Sequence, residues 1–354
     1  MTELLTRGRF RKNVFERDGQ QCVVRTNPHV RCPESAVDAH HILERKLWGD
    51  DGYYLENGAS VCERHHLMCE QTLISVENLR EWCGITKIVV PEHLYHDTVY
   101  DKWGNPILPN GTRMRGELFE DEGVQKILAP ILGIFTMKVK YPRTYHLPCS
   151  PGVTKDDCII KDVSAFLGAD LILTIKMDGE NTTMYPDGIH ARSLEYAPHK
   201  SRDWVKALHA RIAHNIPRGW RICGENLFAK HSIHYQNLEE RFQVFGIWDG
   251  LRCLSWDDTI AYCNMLELKT VQSLPRFNIV FNNEKQFLDT LKATGENLIK
   301  QGFGEDEAEG FVLRLSDSFQ YGAFKKSVAK YVRAHHVQTH GHWMRSQVTP
   351  NEIR

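Results

Sequence analysis

The sequence predicts an α+β protein whose larger part is built on antiparallel sheets, preceded by a small ββα module held by metal. Two observations point there. Beyond residue 138, short β-rich runs alternate with polar turns and helical stretches. The first 85 residues instead concentrate paired cysteines and histidines and few long apolar runs. Strand-sized runs separated by turn residues, with helices interspersed, are the pattern of an α+β layout.

In the larger part, the runs Leu171–Ile175, Arg221–Cys223, Phe242–Trp248, Gly310–Leu315 and Phe324–Val332 read as strands. Asp203–Ile212 and Glu284–Ile299 carry helical periodicity. Near the N-terminal end, Ser75 followed by Val76–Trp82 and Gly84 reads as a capped helix with its stop signal. Residues 86–137 are punctuated by Pro91, Gly104, Pro106, Pro109, Gly111 and Gly116, as in a connector or small accessory region. The expected division is therefore 1–85, 86–137 and 138–354.

Composition excludes several classes. No run of 18 apolar residues exists, so no membrane span is expected. The N-terminal stretch lacks the apolar core of a secretory signal, which makes an intracellular, cytoplasmic setting the default expectation. Ten cysteines in 354 residues are too sparse for a disulfide scaffold, so they read as metal ligands or core. Net charge is −1, yet Arg7, Arg9, Arg11 and Lys12 cluster at one end and six Lys/Arg fall within 319–354. Local basic zones on a neutral chain suit a polyanionic partner, or two solvated tails.

The chemistry-bearing motif is Lys176-Met177-Asp178-Gly179-Glu180-Asn181, delivered by the buried run before it. A lysine nucleophile must lose its proton, and desolvation or nearby cations promote that. Downstream come Gly224-Glu225-Asn226, then the aromatic run Phe242–Asp249, then Glu309-Gly310, then Phe324-Lys325-Lys326-Ser327-Val328-Ala329-Lys330. If that last run is a strand, Lys326 and Lys330 share one face. In the aromatic run, strict alternation would give Phe245 the face of Gln243 and Ile247.

This ordered set resembles the covalent nucleotidyltransferases, and is most similar to ATP-dependent RNA ligases of the nick-sealing type. The resemblance implies a nucleotidyltransferase domain over 138–354, with ATP and Mg²⁺ or Mn²⁺ as cofactors. The reaction it implies joins an RNA 5′-phosphate to a 3′-hydroxyl, as in RNA repair. Lys176 would form lysyl-AMP, and Asp178 and Asn181 would orient it and reach the nucleotide. Arg192 would contact the ribose or an RNA phosphate, Glu225 a ribose hydroxyl, and Phe245 would stack on adenine. Glu309 would bind the metal. Lys326 and Lys330 would neutralise the α-phosphate and depress the Lys176 pKa, with the choice among Lys325, Lys326 and Lys330 open. Only 24 residues follow Lys330, too few for the five-stranded barrel of DNA ligases and capping enzymes, which favours an RNA ligase. The tail Tyr331–Arg354 is similar to the terminal segment of some RNA ligases.

Residues 8–83 carry Cys22, Cys32, Asp38-Ala39-His40-His41, Asn57 and Cys62-Glu63-Arg64-His65-His66. This resembles the HNH endonucleases. By that resemblance His41 is the general base, and His40, His66 and Asp38 hold a divalent metal. Asn57, counted with the metal site, orders the intervening loop. Cys22, Cys32, Cys62 and His65 would hold a structural Zn²⁺, with Cys69 a rival fourth ligand. The module would bind RNA or process its ends. Two other readings compete with the ligase: a metal-dependent nuclease whose ligase-like half only binds nucleotide or RNA, and an inactive RNA-binding protein.

Overall fold

In the computed structural model, the described residues are 3–27, 30–155, 157–192, 199–274, 281, 283–302, 306–334 and 348–354. The His335-His336 pair and most of the C-terminal tail motif lie outside them. The chain divides into two compact units, Met1–Lys140 and Tyr141–Arg354. No helix among the described residues is long and apolar enough to cross a membrane.

The first unit opens with helix α1 (Arg7–Arg17), whose N-cap Thr6 accepts from the Arg9 amide and which buries Phe10 and Val14. A short hairpin, β1 (Arg25–Asn27) and β2 (Val30–Arg31), follows. Next come β3 (Asp38–His41) and β4 (Gly58–Val61), an antiparallel pair, leading into α2 (Glu63–Glu70). α3 (Val76–Trp82) has Ser75 as its N-cap. β5 (Arg113–Arg115), α4 (Glu122–Leu128) and β6 (Phe135–Val139) complete the unit, with β5 and β6 parallel. Residues of the 86–137 stretch enter the same core: Leu94 and Tyr100 pack in one cluster with Cys22, Ile42, Val61 and Leu79. Pro91, Gly104, Pro106 and Gly116 of this stretch are buried.

The second unit holds two sheets. A four-stranded sheet runs β7 (Tyr145–His146), β17 (Val328–Val332), β15 (Gly310–Leu315), β8 (Leu171–Ile175). A seven-stranded sheet has the path β10 (Gly188–Ala191), β9 (Glu180–Tyr185), β11 (Trp220–Asn226), β12 (Phe242–Asp249), β13 (Arg252–Cys253), β16 (Phe319–Gln320), with β14 (Lys269–Thr270) parallel to β12. Apart from β14 on β12 and β7 on β17, pairing in both sheets is antiparallel. Helices α5 (Asp203–Ile212) and α6 (Trp256–Met265) cover one face of the larger sheet through Val205, Leu208, Ile212 and Cys263. Helix α7 (Glu284–Gln301), capped by Asn283 and ended by Gly302, buries Phe287, Leu291 and Leu298 in the core that holds β8, β15 and β17.

All five residues of β8 are buried, which is why an apolar, β-branched run such as Leu-Ile-Leu-Thr-Ile reads so clearly as a strand. The run expected over Phe324–Val332 is shorter. Tyr321–Lys326 forms a 3₁₀ turn, and the strand begins at Val328. Ser327 closes that turn: its amide donates to the Phe324 carbonyl (2.9 Å) and its hydroxyl to the Ala323 carbonyl (3.0 Å).

Residues 348–354 bridge onto the segment after β11, Pro350 to Ala229 and Ile353 to Leu238. Buried Asn351 is the clasp. Its Oδ1 accepts from the Tyr235 amide at 3.0 Å and its Nδ2 donates to the Leu227 carbonyl at 2.9 Å. Asn351→Ala strands two buried backbone groups, so unfolding free energy should fall by about 1–3 kcal/mol, measured by chemical denaturation.

Candidate active site

β8 carries its last main-chain bond past its own end: the Lys176 amide donates to the Gly310 carbonyl at 2.9 Å. Gly310 sits at φ 156°, and a Cβ there would run into the Tyr331 carbonyl. Only glycine permits that approach of β15 to β17, and it sets Glu309 at the strand's entrance. The result is an ion pair between residues 133 positions apart, with Lys176 Nζ 2.8 Å from Glu309 Oε2. Glu309 is buried and the Lys176 side chain is a quarter exposed.

The residues after the nucleophile candidate are held by a loop that sequence motifs do not single out. Asp178 Oδ2 accepts from the amides of Ser232 (2.7 Å) and Ile233 (2.8 Å), and the Asp178 amide donates to the Tyr235 hydroxyl at 2.8 Å. The Gly179 amide donates to Glu225 Oε1 at 3.2 Å. Across the larger sheet Asn181, Glu225 and Gln243 stand in register, so they share a face. The Arg192 amide donates to the Asn181 carbonyl at 3.0 Å, which brings the end of β10 to the same strand.

A β-bulge changes the expected faces on β12. Cys223 pairs with Gly246 and Gly224 with Val244, which leaves Phe245 as the extra residue. Strict alternation therefore fails. Val244 and Ile247 both join the core under α5 and α6, while Gln243 keeps the face of Glu225. A bulge bends the strand and re-aims its side chain. The half-buried Phe245 ring lies edge-on to Tyr141 at 5.0 Å between centroids.

The electrostatics also depart from expectation. Burial disfavours charge on Lys176, but Glu309, Glu225 and Asp178 outweigh it and raise the amine's pKa. The surroundings that were expected to be cationic are acidic. Burial, with Glu309 and Asp178 adding repulsion, pushes the Glu225 carboxyl up to about 8, against the pull of Lys176. Of the basic candidates, Lys330 is the one whose charge is felt together with that of Lys176. Burial and Lys176 lower its pKa, partly offset by Asp157. Lys325 and Lys326 sit exposed on the 3₁₀ turn, and Lys326 does not share a strand face with Lys330.

In the first unit, the ligand atoms of Cys22, Cys32, Cys62 and His65 all lie within 4.8 Å of one another, and all four residues are buried. Cys22 Sγ and Cys62 Sγ are each 3.3 Å from His65 Nδ1. Three thiols and an imidazole gathered this closely are donor types that suit a zinc ion. Cys69 is buried but stands outside the group, and no disulfide joins any of the ten cysteines.

A second group gathers Asp38, His40 and His66. His66 Nε2 is 3.3 Å from Asp38 Oδ2 and 3.6 Å from Glu70 Oε1, and His40 Nδ1 is 3.5 Å from the same Glu70 oxygen. His40 is 1% exposed and its Nε2 has no hydrogen-bond partner among the described residues, so the donor set fits a divalent cation. His41, next on β3, takes the other face and stacks on Phe10 at 4.7 Å. Burial, helped by Lys102, pushes its pKa down to about 4, so at neutral pH its imidazole is uncharged. Asn57 turns its amide to the loop instead of the cluster. Its Oδ1 accepts from the Leu43 amide (2.9 Å) and its Nδ2 donates to the Leu43 (3.0 Å) and Gly52 (3.1 Å) carbonyls.

Two contributors were missed in sequence. Glu70 lies four residues after His66 on α2, a spacing that signals a shared face. Lys102 Nζ reaches Glu44 Oε2 (3.0 Å) and Glu70 Oε1 (3.2 Å) from a turn-rich stretch with no local signal.

Comparison with known proteins now bears on the second unit. Residues 169–332 match the family model for RNA ligase. The matched stretch holds Lys176, Glu225, Phe245, Glu309 and Lys330. Among solved structures, a variant Naegleria gruberi RNA ligase with ATP and Mn is 18% identical over 56% of this chain and 57% of that one, with a TM-score of 0.37. An archaeal ATP-dependent RNA ligase is 14% identical over 55% of this chain and 48% of that one, with a TM-score of 0.38. The chain thus spans about half the length of these structures. No curated protein matches it.

Proposed function

We propose that residues 138–354 are an ATP-dependent RNA ligase module acting through a lysyl-AMP intermediate, with 1–85 as a zinc-stabilised HNH-like finger and 86–137 as its accessory segment. The observation that carries this is the amine of Lys176 at the mouth of a buried strand, 2.8 Å from Glu309 and beside Glu225, within the stretch that matches the RNA ligase family. Lys176, once deprotonated, would attack the α-phosphorus of ATP, forming an N–P bond and releasing pyrophosphate. AMP would then pass to an RNA 5′-phosphate, and a 3′-hydroxyl would displace it. Glu225, Asn181 and Gln243, on one face, would bind the nucleoside, with Phe245 against the base and Arg192 at the ribose or RNA phosphate. Lys330 would meet the phosphate, and exposed Lys326 would serve RNA more than ATP. Glu309 and Glu225 offer the oxygen donors that Mg²⁺ or Mn²⁺ prefers. Such an ion would supply charge neutralisation at the phosphates.

The test is direct. Incubation with α-labelled ATP and Mg²⁺ or Mn²⁺ should leave a covalent label on the chain after denaturing electrophoresis. A wild-type chain that takes no label defeats the proposal.

A second activity is favoured by the Asp38–His40–His66 group; His41 follows His40 on β3, and its imidazole would have to turn from Phe10 toward the ion. His41 would accept a proton from water, and the three ligands would hold a divalent ion at the scissile phosphate. His41→Ala should then lower metal-dependent cutting of RNA or DNA by roughly 10²–10⁴-fold, while Lys176→Ala leaves cutting intact. Cleavage gels decide it: cutting that ignores His41 removes this activity, leaving the finger to bind RNA.

A further inference from the structure

Beside the nucleophile lies a polar network that no motif marks. Lys330 pairs in register with His146 on β7 and with Val312 on β15, and Val312 pairs with Thr174 on β8. Residues in register point to one side of a sheet, and Lys176 continues that side two residues beyond Thr174. His146 and Lys330 therefore stand on the nucleophile's face.

Their link is Asp157, from the loop after β7. Asp157 Oδ1 is 3.3 Å from Lys330 Nζ and 3.2 Å from His146 Nε2. Its Oδ2 accepts from the Thr154 amide (3.1 Å) and hydroxyl (2.8 Å), so the carboxylate is fixed from both ends. His146 is fixed in turn. It is 1% exposed, and its Nδ1 lies 2.9 Å from Ser150 Oγ, which accepts from the Val332 amide at 2.9 Å. A chain of close contacts thus runs from β17 through Ser150, His146 and Asp157 back to Lys330 on β17; the approach of His146 Nε2 to Asp157 is electrostatic, without hydrogen-bond alignment.

We propose that Asp157 and His146 are positioning residues for adenylation, Asp157 holding the Lys330 ammonium charged and in place beside Lys176 and His146 holding Asp157. This rests on the ligase reading. The physical need is plain. Lys330 and Lys176 are like charges in a half-buried site, and each disfavours the other's proton. An ammonium intended for phosphate must stay protonated there. The groups bearing on Lys330 are Lys176, which opposes its charge, and Asp157 and Glu309, which favour it; His146 adjoins Asp157. Burial works against the Asp157 carboxyl's charge, but His146, Lys330 and Thr154 hold it well below the usual carboxylate range. It is a fixed anion across the working pH range. Removing it should let Lys330 lose its proton at lower pH.

The experiment measures the adenylation rate of the full chain against ATP concentration from pH 6.5 to 9.5, with melting curves for each variant. Asp157→Asn should raise the KM for ATP roughly tenfold at the alkaline end, where Lys330 without its anion loses its proton. Near neutral pH the KM should change little, and kcat should change less than KM throughout. Asp157→Glu should restore the profile, and His146→Ala should move it the same way by less. An Asp157→Asn protein with the wild-type KM at every pH overturns the proposal. So does a KM rise that is equal at all pH values and is not restored by glutamate. If Asp157→Asn does not fold, folded His146→Ala decides, and a wild-type profile there overturns the proposal. A wild-type chain that forms no adduct removes the ligase reading itself, before any variant is compared.

Discussion

Replacing Lys176 with alanine should abolish the covalent AMP adduct altogether, because the N–P bond of the proposed intermediate forms on this amine. Lys176→Arg should fail equally, for a different reason. A guanidinium keeps the charge that pairs with Glu309, so the local fold should survive, but it cannot be deprotonated in a protein. Two variants with intact melting curves and no label would separate nucleophile loss from misfolding. The pH dependence follows from the acidic surroundings. Glu309, Glu225 and Asp178 raise the pKa of Lys176. The ammonium form therefore persists to higher pH, and adenylation at saturating ATP should speed up as pH climbs through neutrality. A cation bound among those carboxylates weakens their hold, so more Mn²⁺ should move the rise to lower pH. Rates measured by quench and gel at several Mn²⁺ concentrations test that sign; a rate falling with pH would contradict it.

Removing one of the four proposed zinc ligands should unfold much of the first unit. Structural zinc supplies about 10–16 kcal/mol of apparent binding free energy in finger peptides, which exceeds the whole stability of most domains of this size. Cys32→Ala should leave the chain without stoichiometric zinc by elemental analysis and make residues before Lys140 sensitive to protease. Cys69→Ala should keep the metal, since Cys69 lies outside the four-residue group. Loss of zinc from Cys69→Ala with retention in Cys32→Ala would reverse the ligand assignment.

What the sequence disclosed and what it hid divide along the length of the contacts. Strand β8 was legible because five buried residues in a row leave a local signature, and α5 and α7 because their apolar residues recur with helical spacing. The Cys22–Cys32–Cys62–His65 group was legible through residue chemistry, despite an unusual nine-residue interval between the first pair. The acidic setting of Lys176 was hidden. It depends on a pairing across 133 positions that β15 creates only by folding. The bulge at Phe245 and the 3₁₀ turn at Lys326 were hidden because each replaces a strand's alternation with one local departure. Lys102, Asp157 and His146 sit in turn-rich or short segments, where neither spacing nor periodicity marks a role.

Helix α2 places His65 and His66 side by side in the chain but in different clusters, with Cys62 at its N-cap and Glu70 in its last turn. Successive residues on such a helix diverge by about 100°, so both clusters depend on a single winding register. Inserting one residue after Cys62 would throw both out of line at once. On α2 the two clusters therefore share one register: an insertion within this helix cannot move one and spare the other, whereas the Cys22–Cys32 interval belongs to the first alone.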